Sequence, residues 1–167
     1  MDEDIILEAR KITKIYPGTV ALDHADFRAR KGRVNVLIGE NGAGKSTMMK
    51  IAAGVETKTS GAIFIHGKEA DYRTPAEAIR HGVGIIYQEL NLFPNLSIAE
   101  NMFMTREIKK NRFSVDHKKQ NEKAAAFLEK LKLAVSPETP IGSLRVGQQQ
   151  LVEIAKVLSQ NAEIIIM

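Results

Sequence analysis

The stretch "GENGAGKST", Gly39–Thr47, limits what this chain can become more than any other part of it. It satisfies the pattern G-x-x-x-x-G-K-[ST] and lies between an apolar run, "RVNVLIG", and a segment of helical spacing, "KSTMMKIAAG". Met48, Ile51 and Ala52 recur at intervals of three and four, with Gly54 as a stop, so the spacing predicts strand, glycine loop, helix. Glycines at 39, 42 and 44 let the backbone curl into a nest whose amide hydrogens point at phosphate oxygens, reinforced by the positive end of the helix. In such a loop, formed by Gly39, Glu40, Asn41, Gly42, Ala43 and Gly44, Lys45 neutralises β and γ phosphates and the Ser46 hydroxyl ligates magnesium. Thr47 adds a phosphate hydrogen bond. A plain glycine turn does not account for this order of glycines, lysine and hydroxyls.

Around the loop, strands and helices alternate. "IILEARKIT" and "ALDHADF" read as strands parted by "YPGT", where Pro17 and Gly18 break the run. "GAIFIHGKEADY" reads as a hairpin turning near His66–Gly67, and "TPAEAIRHG" as a helix with Thr74 as cap and Pro75 at its first position. "VGIIY" is a further strand, and "SIAE" at Ser97 has capping-box spacing. Between Asp116 and Leu131, the residues Ala124, Phe127, Leu128 and Leu131 form an apolar stripe. In "VGQQQLVEIAKVLSQN", Leu151, Ile154, Ala155 and Leu158 form another. The pattern argues an α/β chain with a largely parallel core and an antiparallel piece built from the early hairpins.

The totals exclude several classes. With 44% apolar and 26% charged residues, the 167-residue chain has ordinary globular usage. Its apolar runs, such as 34–38 and 164–167, are far below the roughly 20 residues that cross a bilayer. The acidic start "MDEDIILEAR" is unlike a signal peptide, and zero cysteines exclude disulfides and thiolate metal sites. A net charge of +4 is mild, and Lys109, Lys110, Arg112, Lys118 and Lys119 read as a solvated helix and loop. Aromatics are only 5% and none interleaves with these lysines, so no nucleic-acid partner is expected.

"KIYPGTVAL", "IIYQELNLFPNLSIAENMF" and "LRVGQQQLVEIAKVLS" accompany the phosphate loop, in that order, over the whole chain. Together these segments resemble the ATP-binding cassette (ABC) proteins, and among them the ATP-binding subunit of ribose and galactose type sugar importers. The resemblance implies a P-loop NTPase fold: a parallel core sheet, an antiparallel β subdomain and a helical subdomain, incomplete at the C-terminus. It places an ATP-binding core in 1–88 and 160–167 and a helical region in 89–159. ATP and Mg2+ are the implied cofactors. Lys45 and Gln88 are the implied catalytic residues, with Ser46 and Gln88 toward the metal and Tyr16 stacking on adenine. Residues 91–101 correspond to a groove that receives a helix of the membrane subunit, although Leu92, Phe93 and Leu96 fit a core equally well.

Leu144, Arg145, Val146, Gly147 and Gln148 correspond to the loop that closes, in trans, over nucleotide held by a facing cassette. The family usually has serine where Arg145 stands and often glycine where Val146 stands. Arginine reaches a phosphate as a charge-assisted donor but is bulkier than a hydroxyl. The implied partners are transmembrane permease subunits, a second cassette and, indirectly, a periplasmic sugar-binding protein, with the chain on the cytoplasmic face of the membrane. "AEIIIM" resembles the Walker B strand, which the family follows with aspartate and then glutamate, neither of which is within these residues. Nucleotide binding without efficient hydrolysis by this polypeptide alone is therefore the expectation. A non-catalytic nucleotide-binding module, and a cassette protein acting on ribosomes or DNA, stay open as alternatives.

Overall fold

Pro17 and Gly18 turn the chain back on itself, and β1 (Ile5–Tyr16) pairs antiparallel with β2 (Thr19–Arg30) from Tyr16 and Thr19 inward. The computed structural model describes residues 4–87, 89–112 and 114–167. It divides into two units, Met1–Ile85 with Ile166, and Ile86–Ile165 with Met167.

In the first unit, α1 (Lys45–Ala52) follows the glycine loop. β3 (Ser60–Ile65) then pairs with β1, and a turn at His66–Gly67 adds β4 (Lys68–Glu69), giving the order β2-β1-β3-β4. The long hairpin is not regular. Its register shifts near Lys11 and His24, both at positive φ (49° and 47°), and side chains catch the displaced amides. The Lys11 amide donates to Asp26 Oδ1 at 2.8 Å and the His24 amide to Thr13 Oγ1 at 3.2 Å. The bulge in β1 pushes its carbonyls toward β3 where Gly61 stands; a Cβ there would lie 2.5 Å from the Lys11 oxygen, at φ +95°. Ile12 is fully buried there, as are Leu7, Ala9, Ile63 and Ile65 on the same strands.

α1 buries Met48, Ile51 and Ala52, and the Tyr72 hydroxyl donates to the Ala52 carbonyl at 2.6 Å. Thr74 caps α2 (Pro75–Arg80) by accepting the Glu77 amide at 3.2 Å, with Pro75 at the first position, and β5 (Val83–Ile85) follows.

The second unit is helical. It comprises α3 (Ile98–Phe103), a hairpin of β6 (Lys109–Asn111) and β7 (Ser114–Val115), α4 (His117–Lys130), a 3-10 turn at Ile141–Ser143 and α5 (Val146–Leu158). The last strand is β8 (Ile164–Ile166). Ile98, Met102, Ala124, Leu128, Val152 and Ala155 form its core. Asn101 is fully buried inside it. Its side-chain amide donates to the carbonyls of Phe93, Leu96 and Ser97, while its oxygen accepts the Phe93 amide at 2.7 Å. No helix among the described residues is long and apolar enough to cross a membrane.

The structure corrects the sequence reading at several points. "RVNVLIG" forms no strand: residues 34–40 are irregular, with Val34 93%, Val36 72% and Ile38 86% exposed. A parallel strand needs hydrogen-bonded neighbours and a layer on each face. Instead the Asn35 side chain folds back on the end of β2, accepting the Arg30 amide at 3.0 Å and donating to the Arg30 carbonyl at 3.1 Å. The basic stretch is not helix and loop throughout, since Lys109 and Lys110 lie in β6. In α5 the most buried stripe is Val152 and Ala155 with Glu153 and Val157, rotated from the Leu151, Ile154, Ala155, Leu158 face. Glu153 is drawn inward because its carboxylate accepts the Asn91 amide at 2.8 Å.

Asn101→Leu should destabilise the second unit by about 2–3 kcal/mol, because carbonyls it satisfies stay buried without a donor; urea denaturation measures this. Glu100 closes a capping box on α3, accepting the Ser97 amide and hydroxyl, each at 2.8 Å. Chiefly the Ser97 amide, then its hydroxyl, hold the Glu100 carboxyl below its usual range. The stabilisation is complete above the unfolded value of about 4.3 and is lost as pH falls through the depressed folded value. Glu100→Gln should therefore show a shallower loss of stability on acidification in pH-dependent melts.

Candidate functional site

The head of α1 lacks what helices usually place there. Its cap is Gly44 at φ 79°, no side chain caps it, and its first turn has no acidic residue. The first intrahelical bond runs from the Met48 amide to the Gly44 carbonyl at 2.9 Å, so the amides of Lys45, Ser46 and Thr47 precede the helical ladder. Upstream, the Ala43 amide donates to the Glu40 carbonyl at 3.2 Å, closing a tight turn, with Gly42 at φ 85°. Lys45 folds its ammonium back across this turn, donating to the carbonyls of Gly39 and Glu40, both at 2.6 Å.

Gly44 cannot be another residue in this arrangement. A Cβ would lie 2.6 Å from the Ala21 carbonyl oxygen and 2.6 Å from Leu22 Cδ2, at a φ that L residues rarely adopt. The loop is thus pressed onto the start of β2. Amides, helix dipole and ammonium all offer positive charge, and no carboxylate occupies the first turn. A polyphosphate fits this donor set. A divalent cation fits only in part: Ser46 is exposed on the first turn, while Gln88 lies outside the described residues. Among the described residues no group of three or more His, Cys, Asp or Glu could hold a metal. Magnesium would therefore draw its ligands from phosphate oxygens, water and Ser46, in keeping with its habit of retaining waters.

Tyr16 closes β1 and is partly exposed. Lys14 is the register partner of Leu22, whose side chain lies where a Gly44 Cβ would be. Tyr16 is thus about 7 Å further along the strand from the level of the loop.

In the second unit, Arg145 caps α5 with extended backbone and its amide donates to Gln148 Oε1 at 3.0 Å. The amides of Gln148 and Gln149 return to the Arg145 carbonyl, at 2.8 and 3.0 Å. Leu144 is buried, Val146 is 63% exposed, and a Cβ at Gly147 would meet nothing within 4 Å. The helix head is therefore open to approach at Val146 and Gly147. Gln149, which the sequence did not single out, fixes the loop before it by donating to the carbonyls of Ile141 and Leu144 at 3.3 and 3.0 Å.

The 91–101 segment is also held by residues that the sequence left unremarked. Asn101 and Glu153 hold its backbone, and Lys156 donates to the Asn91 carbonyl at 3.2 Å. Leu92 packs partly against the core and Phe93 is 53% exposed, so the segment is divided between core and surface. A polar Asn just before the apolar pair Met102 and Phe103 in "IAENMF" was the one sequence signal for that staple.

The fold and the glycine loop together define an ATP-binding cassette. A nucleotide-free ATP-binding cassette from an ABC transporter matches with a TM-score of 0.81 at 28% identity, over 96% of this chain and 67% of that one. The ADP conformation of such a cassette matches at 0.80 and 28% identity, with the same coverage of both chains. The sequence profile described as "ABC transporter" matches residues 22–167, and the chain belongs to that family. It is 46% identical over 167 residues to the ribose import ATP-binding protein RbsA of Rhodopirellula baltica, covering 100% of this chain and 33% of the relative. It is 44% identical to the xylose import ATP-binding protein XylG of Geobacillus kaustophilus, covering 99% and 33%. The chain thus spans about a third of the length of these relatives.

Gly44→Ala should cost stability through the forced φ, about 1 kcal/mol or more, and abolish polyphosphate binding by lifting the loop from β2. Thermal melts with and without tripolyphosphate read both effects.

Proposed function

We propose that Gly39–Thr47 holds the triphosphate of ATP with Mg2+. Backbone amides at the head of α1 grip the phosphate oxygens, Lys45 exchanges its carbonyl partners for the β and γ phosphates, and Ser46 ligates the metal. The observation that carries this reading is the uncapped, acid-free head of α1 beneath the Lys45 ammonium. Tyr16 stacks the adenine, contributing about 1–3 kcal/mol with little base selectivity.

In this reading the chain belongs to the ATP-binding subunit of a sugar importer. ATP binding and hydrolysis by the parent form bias a closing and opening of paired cassettes. The Leu144–Gln148 loop meets nucleotide on the facing cassette through the open amides at Val146 and Gly147. Permease subunits engage the 91–101 segment and hold the protein on the cytoplasmic face of the membrane, with a sugar-binding protein delivering the cargo. The names of the relatives, ribose and xylose import proteins, support a pentose cargo.

Calorimetric titration with ATP and magnesium tests the binding step. Saturable binding is expected for the wild type, and Lys45→Ala should weaken it by tenfold or more, the order of one charge-assisted contact to phosphate, about 1.5–3 kcal/mol. An unchanged affinity in Lys45→Ala would refute the phosphate role. Uptake of labelled ribose and xylose should fall in cells lacking the gene; unchanged uptake of both would refute the pentose reading.

A further inference from the structure

Lys14 is a charged residue two positions from the end of β1, only 9% exposed. Its ammonium donates to the Thr57 carbonyl at 2.8 Å, pairs with Glu56 Oε2 at 3.1 Å and lies 4.8 Å from the centre of the Tyr16 ring. Burying a lysine is unfavourable unless its charge is paired, and an apolar residue of similar volume often packs as well or better. Packing alone therefore gives no reason for a lysine here. What the ammonium does is join the end of β1 to the chain just after α1, with the aromatic ring on its third side.

These groups all belong to the first unit, which also carries the glycine loop and α1. Glu56 and Thr57 follow α1 by a few residues, while Lys14 stands opposite Leu22, against which the Gly44 loop is pressed. We infer that Lys14 is a positioning residue: held by Glu56 and Thr57, it fixes the plane of the Tyr16 ring so that the ring receives the purine base of the nucleotide whose phosphates rest on Gly39–Thr47. The inference rests on the stacking role proposed for Tyr16.

The physical case has several parts. Tyr16 precedes a turn at the end of a hairpin, where a ring would otherwise exchange rotamers freely. A cation within about 6 Å of one face holds the ring there and leaves the rest of the ring, which is partly exposed, to a ligand. The same cation draws electron density from the ring, which favours stacking against an electron-rich purine on the other face. Lys14 does not itself serve as a phosphate ligand, since Glu56, Thr57 and the Tyr16 ring occupy the three sides of its ammonium.

The test compares affinities for ATP and for inorganic tripolyphosphate, which has no base. Tyr16→Ala should weaken ATP by about fivefold to a hundredfold, the loss of the stack, and Lys14→Met by about three- to tenfold, the equivalent of one side chain's ordering. Both variants should bind tripolyphosphate as the wild type does, and the double variant should bind ATP no more weakly than Tyr16→Ala. Unchanged ATP affinity in Tyr16→Ala would refute the stacking role and the inference with it. A weakened Tyr16→Ala beside an unchanged Lys14→Met would overturn the inference alone. Parallel loss of ATP and tripolyphosphate in Lys14→Met would also overturn it, marking Lys14 as general support for the fold. If Lys14→Met does not fold, Glu56→Gln decides: a loss confined to ATP supports the positioning role, and no loss, or an equal loss for both ligands, overturns it.

Discussion

The contact of Gly44 with β2 is the constraint on which the site depends. With the Ala21 carbonyl and the Leu22 side chain each 2.6 Å from where a Cβ would be, the head of α1 can approach the sheet only because position 44 has no side chain. That approach fixes where the free amides of Lys45, Ser46 and Thr47 lie, and it leaves Met48, Ile51 and Ala52 to be buried one turn later. The same glycine supplies the positive φ that curls the loop. The close packing of the loop and the open turn of amides at the head of α1 are thus consequences of one missing methyl group.

Buried polar groups take over where hydrophobic contact cannot specify a loop. Asn101 holds the path of residues 93–97 through backbone bonds, and Glu153 holds Asn91. Gln120, only 2% exposed, donates to the Ala99 carbonyl at 3.3 Å and so ties α4 to α3. Among the described residues no buried side-chain nitrogen or oxygen lacks a partner. Such groups cost much if left unpaired, so each one selects a single arrangement of the chain around it. Lys14 does the same in the first unit, where its partners are a carboxylate, a carbonyl and an aromatic face.

Much of this was legible in the sequence because the signals are local. The "YPGT" turn, the His66–Gly67 turn, the Thr74 and Ser97 caps and the start of α1 depend on backbone geometry and hydrogen bonds within a few residues. The failures came from non-local causes. Val34–Ile38 has the composition of a buried strand, yet a strand exists only with neighbours, and Asn35 binds back to Arg30 instead. The buried face of α5 was misplaced because Glu153, polar by composition, is drawn inward by the backbone of Asn91, 62 residues earlier in the chain.

The sequence by itself determined the donor set of the glycine loop, since glycines, lysine and hydroxyls at fixed spacing put a tight turn, an ammonium and uncapped amides together at the head of α1. Only the tertiary structure decided what that loop leans on, which residue stands behind Tyr16, and which polar side chains hold the 91–101 segment. The reason is physical: conformational preference acts over a few residues and is written locally, whereas contact pairs such as Gly44 with Ala21, or Lys14 with Thr57, arise only when distant segments are brought together.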